Sequence, residues 1–196
     1  LLNRIQRREI MRGRKKSLIL GLILIALGLS QCGIYNQMVE QSEEVSKAWS
    51  EVENQLQRRN DLIPNYVETV KGYASHEREI FTQVAEARSK LAGTQKLEEK
   101  MKASNELTLA LGRLLMIVER YPDLKANQNF IQLQDELAGT ENRIAVARMR
   151  YNEAVKNYNA FIKKFPQLVI ARIFKFEPKP YFEAPESAKA VPAVKF

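Results

Sequence analysis

The sequence predicts an all-α protein: an antiparallel, up-and-down bundle of about four helices, with an N-terminal hydrophobic membrane segment and an extended, Pro-containing C-terminal tail. Three observations lead there. Glycine and proline are sparse between Tyr35 and Phe165 while Glu, Lys, Gln, Ala and Leu abound, which is the vocabulary of helices. From Phe130 to Phe165 apolar and small residues recur in unbroken steps of three and four. From Ser17 to Val39 there is no charged residue.

The uncharged run is the natural first element. Leu18 to Leu29 is almost purely Leu, Ile, Ala and Gly, and the run is as long as the roughly 20 residues of a spanning helix. Seven of the first 16 residues are Arg or Lys (Arg4, Arg7, Arg8, Arg12, Arg14, Lys15, Lys16) against Glu9, so +6 of the net charge of +8 sits there. Only +2 remains for everything after, so no nucleic-acid partner is expected of the bundle. The basic block precedes the span and Glu40, Glu43 and Glu44 follow it, which places the N-terminus in the cytoplasm and the bundle outside. The expected division is residues 1–16 basic segment, 17–35 anchor, 36–166 bundle and 167–196 extended tail.

Two readings of the anchor stand side by side. In one it is a retained single-pass span of a bacterial inner membrane. In the other, Met11-Arg12-Gly13-Arg14-Lys15-Lys16 opens a signal sequence and Leu29-Ser30-Gln31-Cys32 resembles the lipobox of bacterial lipoproteins, with Cys32 carrying lipid. Gln31 departs from the small residue usual there. As the sole cysteine, Cys32 excludes an intramolecular disulfide, and the fold rests on packing.

The first helix is expected to continue from the anchor to about Arg59, with Val45, Ala48, Trp49, Val52 and Leu56 on one stripe. Asp61 with Pro64 then reads as the start of a second helix, whose apolar face runs from Ile63 to Leu91. Gly93-Thr94 ends it. The third, carrying Met101, Leu107, Leu111, Leu114 and Val118, stops at Tyr121-Pro122. The fourth begins near Asp123 with Phe130, Leu133, Leu137, Thr140, Ile144, Ala147, Tyr151, Ala154, Tyr158, Phe161 and Phe165 on its stripe, a repeat near 3.5 that favours left-handed wrapping. Arg143 and Arg148 fall off that stripe and read as surface residues. After Pro166, the prolines at 178, 180, 185 and 192 predict extended chain.

Several stretches resemble the LemA family: Ala48-Trp49-Ser50-Glu51-Val52-Glu53-Asn54-Gln55-Leu56-Gln57-Arg58-Arg59, Asp61-Leu62-Ile63-Pro64-Asn65 and Val70-Lys71-Gly72-Tyr73-Ala74. Glu119-Arg120-Tyr121-Pro122-Asp123-Leu124-Lys125-Ala126-Asn127, Thr140-Glu141-Asn142-Arg143-Ile144 and Tyr151-Asn152 resemble it too, so the likeness covers about residues 35–166. It implies a bacterial protein with an N-terminal hydrophobic anchor and a helical bundle, without an established enzymatic activity. The Cys32 junction and the tail depart from the pattern.

Short connections make neighbouring helices antiparallel, so the corners 58–65 and 119–127 are expected to meet at the end far from the membrane. Arg58, Arg59, Asp61, Asn65, Glu119, Arg120, Asp123, Lys125 and Asn127 would converge there, as helix-end partners or as a docking surface for unidentified envelope proteins. In the tail, Phe165, Arg172, Phe174, Lys175, Phe176 and Tyr181 interleave aromatics with cations, a composition that favours lipid headgroups. The same aromatics suit a cover for the end of the bundle. His76 is the only histidine, so the sequence offers no zinc set or Ser-His pair, and neither metal, cofactor nor catalysis is expected. The reading is a membrane-bound scaffold that also self-associates into a homo-oligomer. The rival is a protein that organises or remodels the bilayer by lateral assembly.

Overall fold

The structure, a computed structural model, describes the backbone of residues 2–183 and the side chains of residues 33–183. The anchor side chains before Gly33, Cys32 among them, and the tail beyond Glu183 lie outside the described residues. The described chain is all-helical: α1 (Leu2–Lys71), α2 (Arg78–Gly93), α3 (Leu97–Val118), α4 (Pro122–Lys125), α5 (Gln128–Lys163) and α6 (Gln167–Phe174). Among residues 33–183, whose side chains are described, no helix is long and apolar enough to cross a membrane. The residues group into two compact units, Leu1–Glu44 with Asn157–Pro178, and Val45–Lys156 with Lys179–Phe196.

The predicted break at Asp61 does not occur. A proline inside a helix removes the bond its N–H would make to the carbonyl four residues back, and at Pro64 that orphan is the carbonyl of Asn60. Arg88 of α2 donates its Nε–H to this oxygen at 3.2 Å. The lost backbone bond is thus replaced by a side chain from another helix, and α1 continues for two further turns. The real corner comes at Gly72–Glu77, where the Tyr73 and Ala74 N–H groups both close on the Val70 carbonyl.

In the larger unit, paired residues fix the helix directions. Between α2 and α3, Lys90 meets Glu106 at 3.0 Å and the side-chain oxygen of Gln83 accepts from Arg113 at 3.1 Å, so one number falls as the other rises and the pair is antiparallel. Between α1 and α5, Glu51 pairs with Arg150 at 2.8 Å and Arg59 with Glu141 at 2.6 Å, again antiparallel. Lys100 of α3 pairs with Glu53 of α1, and Arg59 reaches Thr108 at 2.8 Å, so α1 and α3 run parallel. The core of this unit includes Val52, Ile63, Leu107, Leu114, Phe130, Ile144 and Tyr151, all fully buried, each apolar side chain contributing about 1.5–3 kcal/mol.

The stripe predicted for the fourth helix holds up to Tyr151 and then shifts. Val155 and Ile162 are buried in place of the predicted Ala154 and Phe161, and Phe165 is 84% exposed. From Thr140 to Ile162 the buried steps run four, three, four, four, three, four, close to the about 3.67-residue repeat of a helix that does not wrap left-handedly. A 3.5 pattern drifts by roughly 20° per heptad around a straight helix, enough to pass the burial to the next residue after three heptads.

The smaller unit buries Met38, Tyr158, Ile162, Ile170 and Ala171. Part of the tail expected to be extended is instead α6. It ends with Lys175 in the left-handed region at φ 59° and the Phe176 N–H bonded to the Ala171 carbonyl at 2.9 Å, the helix-ending motif in which glycine is usual. That turn directs Phe176 onto Tyr35, ring centroids 5.7 Å apart, with Phe174 against the same ring at 4.9 Å.

Candidate functional site

The larger unit is organised around a buried arginine. Arg59 lies about three turns before the end of α1, 1% exposed, at a position where the seven-residue spacing Val45, Val52, Arg59, Tyr66 would ordinarily hold an apolar side chain. Its Nη1 donates to the Thr108 hydroxyl at 2.8 Å and to Glu141 Oε2 at 2.6 Å. Its Nη2 donates to the Ser104 carbonyl and hydroxyl, each at 3.2 Å. Three helices are therefore held by one guanidinium, whose rigid fork suits several acceptors at once. Burial pulls its pKa below the ordinary value, against the upward pull of Glu141.

A second arginine joins the cluster. Arg148 of α5 donates to the Ser104 hydroxyl at 2.7 Å and lies 4.2 Å from the Phe182 ring centroid, in a cation–π contact. Burial lowers its pKa to about 10, Glu141 raising it and Arg59 adding a further lowering. It is not the free surface residue the stripe predicted. The two arginines face one carboxylate, Glu141, so the cluster carries one more cation than anion.

Residues 180–183 lie across this unit as a strap. Asn152 grips Phe182 from both sides of its peptide unit, accepting from its N–H at 2.8 Å and donating to its carbonyl at 2.9 Å. The Tyr151 hydroxyl donates to the Pro180 carbonyl at 2.8 Å, and Asn105 donates to the Glu183 carbonyl at 3.2 Å. Trp49 meets Tyr151 edge to face with ring centroids 5.4 Å apart and lies 6.4 Å from the Phe182 ring in a tilted contact. Phe182 is buried by these contacts. The sequence showed no sign of this, because the partners lie about 30 residues or more away.

The nine residues predicted for the distal tip do not converge. Arg58, Asp61 and Asn65 sit along α1 on its exposed side, Asp61 accepting from Gln57 at 2.8 Å and the Asn65 carbonyl from Thr69 at 2.8 Å. Arg59 is in the core, about 18 Å along the helix from Lys71. The second corner meets residues 73–77 instead. Arg120 pairs with Glu77 at 2.7 Å, Lys125 with Glu119 at 2.6 Å, and Asn127 donates to the Tyr73 hydroxyl at 3.0 Å. Asn127 also caps α5, its side-chain oxygen accepting the Phe130 N–H at 3.1 Å. Asp123 is exposed in the first turn of α4.

The membrane-interface set divides as well. Val169 and Ile173, 49% and 67% exposed, lie one turn apart on α6 near the exposed Arg172, Phe165 is 84% exposed ahead of the helix, and Phe174 is half exposed beside Lys175. Phe176 is turned in on Tyr35, and Tyr181 belongs to the strap of the larger unit.

Buried phenols give this core a spectroscopic signature. Burial, with Glu98 adding to it, pushes Tyr151 up to about 12, and burial pushes Tyr66 up as well. A phenol held protonated in the fold contributes stability that is fully present below its unfolded value of about 10 and is lost as pH rises through its folded value. In an absorbance titration Tyr151 and Tyr66 should ionise in a late phase that coincides with unfolding and shrinks in Tyr151→Phe. A single phase near pH 10 with the fold intact would contradict the burial.

Residues 48–196 match the profile of the LemA family. The chain is 30% identical to magnetosome protein MamQ 2 of Paramagnetospirillum magneticum over 175 residues, covering 76% of this chain and 64% of that one. It is 28% identical to magnetosome protein MamQ of Magnetospirillum gryphiswaldense over 174 residues, with the same coverage, 76% and 64%. Against protein LemA of Metamycoplasma hominis it is 25% identical over 134 residues, 68% of this chain and 61% of that one. The chain thus spans somewhat less than two thirds of the length of these relatives. It belongs to the LemA family.

Proposed function

We propose that this chain is a membrane-attached, non-catalytic scaffold of the bacterial cell envelope, held by residues 17–35 and by the outer face of α6, and presenting its helical bundle to protein partners. The observation that carries this reading is that α6 face. Val169 and Ile173 lie one turn apart on α6 and stay in solvent, with Phe165 exposed just ahead of the helix, while Lys163, Lys164, Arg172 and Lys175 flank them. Exposed apolar and aromatic side chains bordered by cations match the chemistry of the headgroup region. The relatives' names denote no enzymatic activity, which supports a non-catalytic role. The charge asymmetry around residues 17–35 supports an extracytoplasmic bundle; attachment through lipid on Cys32 is the alternative arrangement.

The test uses the full chain reconstituted in bilayer vesicles containing anionic lipid, with Cys32→Ser and a fluorophore on Ile173→Cys or, as the reference, on Met116→Cys of α3. Lipid brominated high on its acyl chains should quench the label at 173 and spare that at 116. Equal quenching of both labels by aqueous iodide would overturn the membrane seat of α6.

A second reading, lateral assembly that organises the bilayer, is favoured by the exposed Leu109 and Met116 on α3 and Val146 and Met149 on α5. Methionine adapts readily to a partner surface. Ordered arrays or deformation of these same vesicles at high protein density would select it over the simple scaffold.

A further inference from the structure

The strap of residues 180–183 sits on the larger unit as a peptide sits in a binding site. Its backbone is held at three residues. The Tyr151 hydroxyl donates to the Pro180 carbonyl, Asn152 takes both the N–H and the carbonyl of Phe182, and Asn105 donates to the Glu183 carbonyl, all at 2.8–3.2 Å. A carboxamide carries one acceptor and two donors on adjacent atoms. It therefore matches the N–H and C=O that one residue of an extended chain turns to the same side, as in a strand pair that exchanges both bonds. An alcohol, an amine or a fatty acid offers no such pair of groups.

One pocket adds a preference for side chain. The Phe182 ring lies 4.2 Å from the Arg148 guanidinium and 6.4 Å from the Trp49 ring, and it is buried. Pro180 is half-buried, whereas Tyr181 and Glu183 are exposed. Backbone bonds combined with one side-chain pocket and open neighbouring positions are the pattern by which proteins recognise extended peptides. The groups that make the site stand on three helices: Trp49 on α1, Asn105 on α3, and Arg148, Tyr151 and Asn152 on α5. Two of them are fixed by contacts other than the strap, Arg148 by the Ser104 hydroxyl and Tyr151 by Trp49.

The strap itself is lightly held. One fully buried side chain and four hydrogen bonds to side chains stand against the entropy of ordering four residues. Segments with so few buried apolar contacts open before the helices beneath them. When this one opens, it leaves a formed site.

We propose that the groove beneath the strap is a peptide-recognition site for an extended segment of a partner protein, with an aromatic side chain in the Phe182 pocket, and that the strap is its resident competitor. This names the chemistry of the protein partner in the scaffold reading and rests on that reading for there being one. Peptide binding tests it separately from the membrane seat of α6, which lipid quenching reads. A tethered competitor acts at high effective concentration, so the wild-type chain should admit a free peptide only weakly.

The experiment titrates a fluorescein-labelled peptide with the sequence of residues 179–184 against the full chain in lipid nanodiscs. Phe182→Ala, which weakens the chain's own strap, should bind it saturably, and the wild type about tenfold or more weakly. A peptide with alanine in place of its phenylalanine should lose about as much, and so should Asn152→Ala added to Phe182→Ala. Trp49, the only tryptophan, should change its emission in Phe182→Ala and recover on addition of unlabelled peptide. In the wild type, the Phe182 amide should exchange with deuterium well before the amides of α5 around Tyr151. Equal binding to wild type and Phe182→Ala, no saturable binding to Phe182→Ala, or tight binding of the alanine peptide would each overturn the proposal. Protection of the Phe182 amide equal to that of α5, or loss of the helical circular dichroism in Phe182→Ala, would make the strap part of the core and overturn it too. If the peptide splits wild-type dimers into monomers, the occupant is the strap of a second copy and the assignment to a partner protein fails.

Discussion

Ile144→Asp should abolish cooperative unfolding of the bundle. Ile144 is 0% exposed in the middle of α5, with Thr140, Ala147 and Tyr151 buried on the same stripe. The substitution removes a branched side chain from a packed site, worth about 2–5 kcal/mol by analogy with truncation to alanine. It also places a carboxylate where no partner waits, which adds several kcal/mol or forces the group to protonate. The sum is comparable with the whole stability of a domain, about 5–15 kcal/mol. Arg143→Gln, on the exposed side of the same turn, should stay within about 0.5 kcal/mol. Arg148→Gln should fall between, at about 1–3 kcal/mol, because it gives up the Ser104 bond and the contact with Phe182. Urea titration of the full chain in detergent, followed by circular dichroism, orders the three. Should Ile144→Asp melt like the wild type, its burial in the bundle is wrong. If it folds normally and loses only self-association, the α5 seam belongs between copies of the chain.

Glu141→Ala should cost about 3–5 kcal/mol, more than its own exposure suggests. Glu141 is 43% exposed in its side chain, but its partner Arg59 is at 1%. Removing the acid leaves a guanidinium that cannot escape to water, facing only the neutral oxygens of Ser104 and Thr108, and an uncompensated buried charge is strongly destabilising. Glu141→Gln keeps an accepting carbonyl and should be milder. The decisive variant is the double one: Arg59→Met with Glu141→Ala restores an apolar core of similar length and should recover a large part of the loss, since replacing a buried pair by packed apolar groups is often close to neutral. A double variant no more stable than Glu141→Ala alone would show that the charge is not what the acid compensates.

The elements whose cause is local were legible from the chain alone. The apolar faces of α3 and of α5 up to Tyr151 follow from spacing, and the breaks at Gly93 and at Tyr121-Pro122 follow from residues that end helices wherever they occur. The all-helical class rests on the same local preferences, and so does the composition of the α6 face, although its helical form was missed. The seven-residue spacing of Arg59 with Val45, Val52 and Tyr66 was a usable signal of its burial, overlooked because arginine is rarely buried without a partner.

Other features were decided only by tertiary contacts. Pro64 should have ended α1, and it does not because Arg88, far along the chain on α2, supplies the donor that the Asn60 carbonyl lacks. Arg59 reads as a surface cation until Ser104, Thr108 and Glu141 are brought around it. Phe182 reads as part of an unstructured tail until Asn152 grips its backbone. In each case the free energy comes from a polar group whose partner is remote in sequence. The sequence by itself determined where apolar surface must be buried, because the hydrophobic pattern is written in neighbouring residues; only the folded structure decided how the buried polar groups are satisfied, because hydrogen bonding depends on which distant side chains arrive.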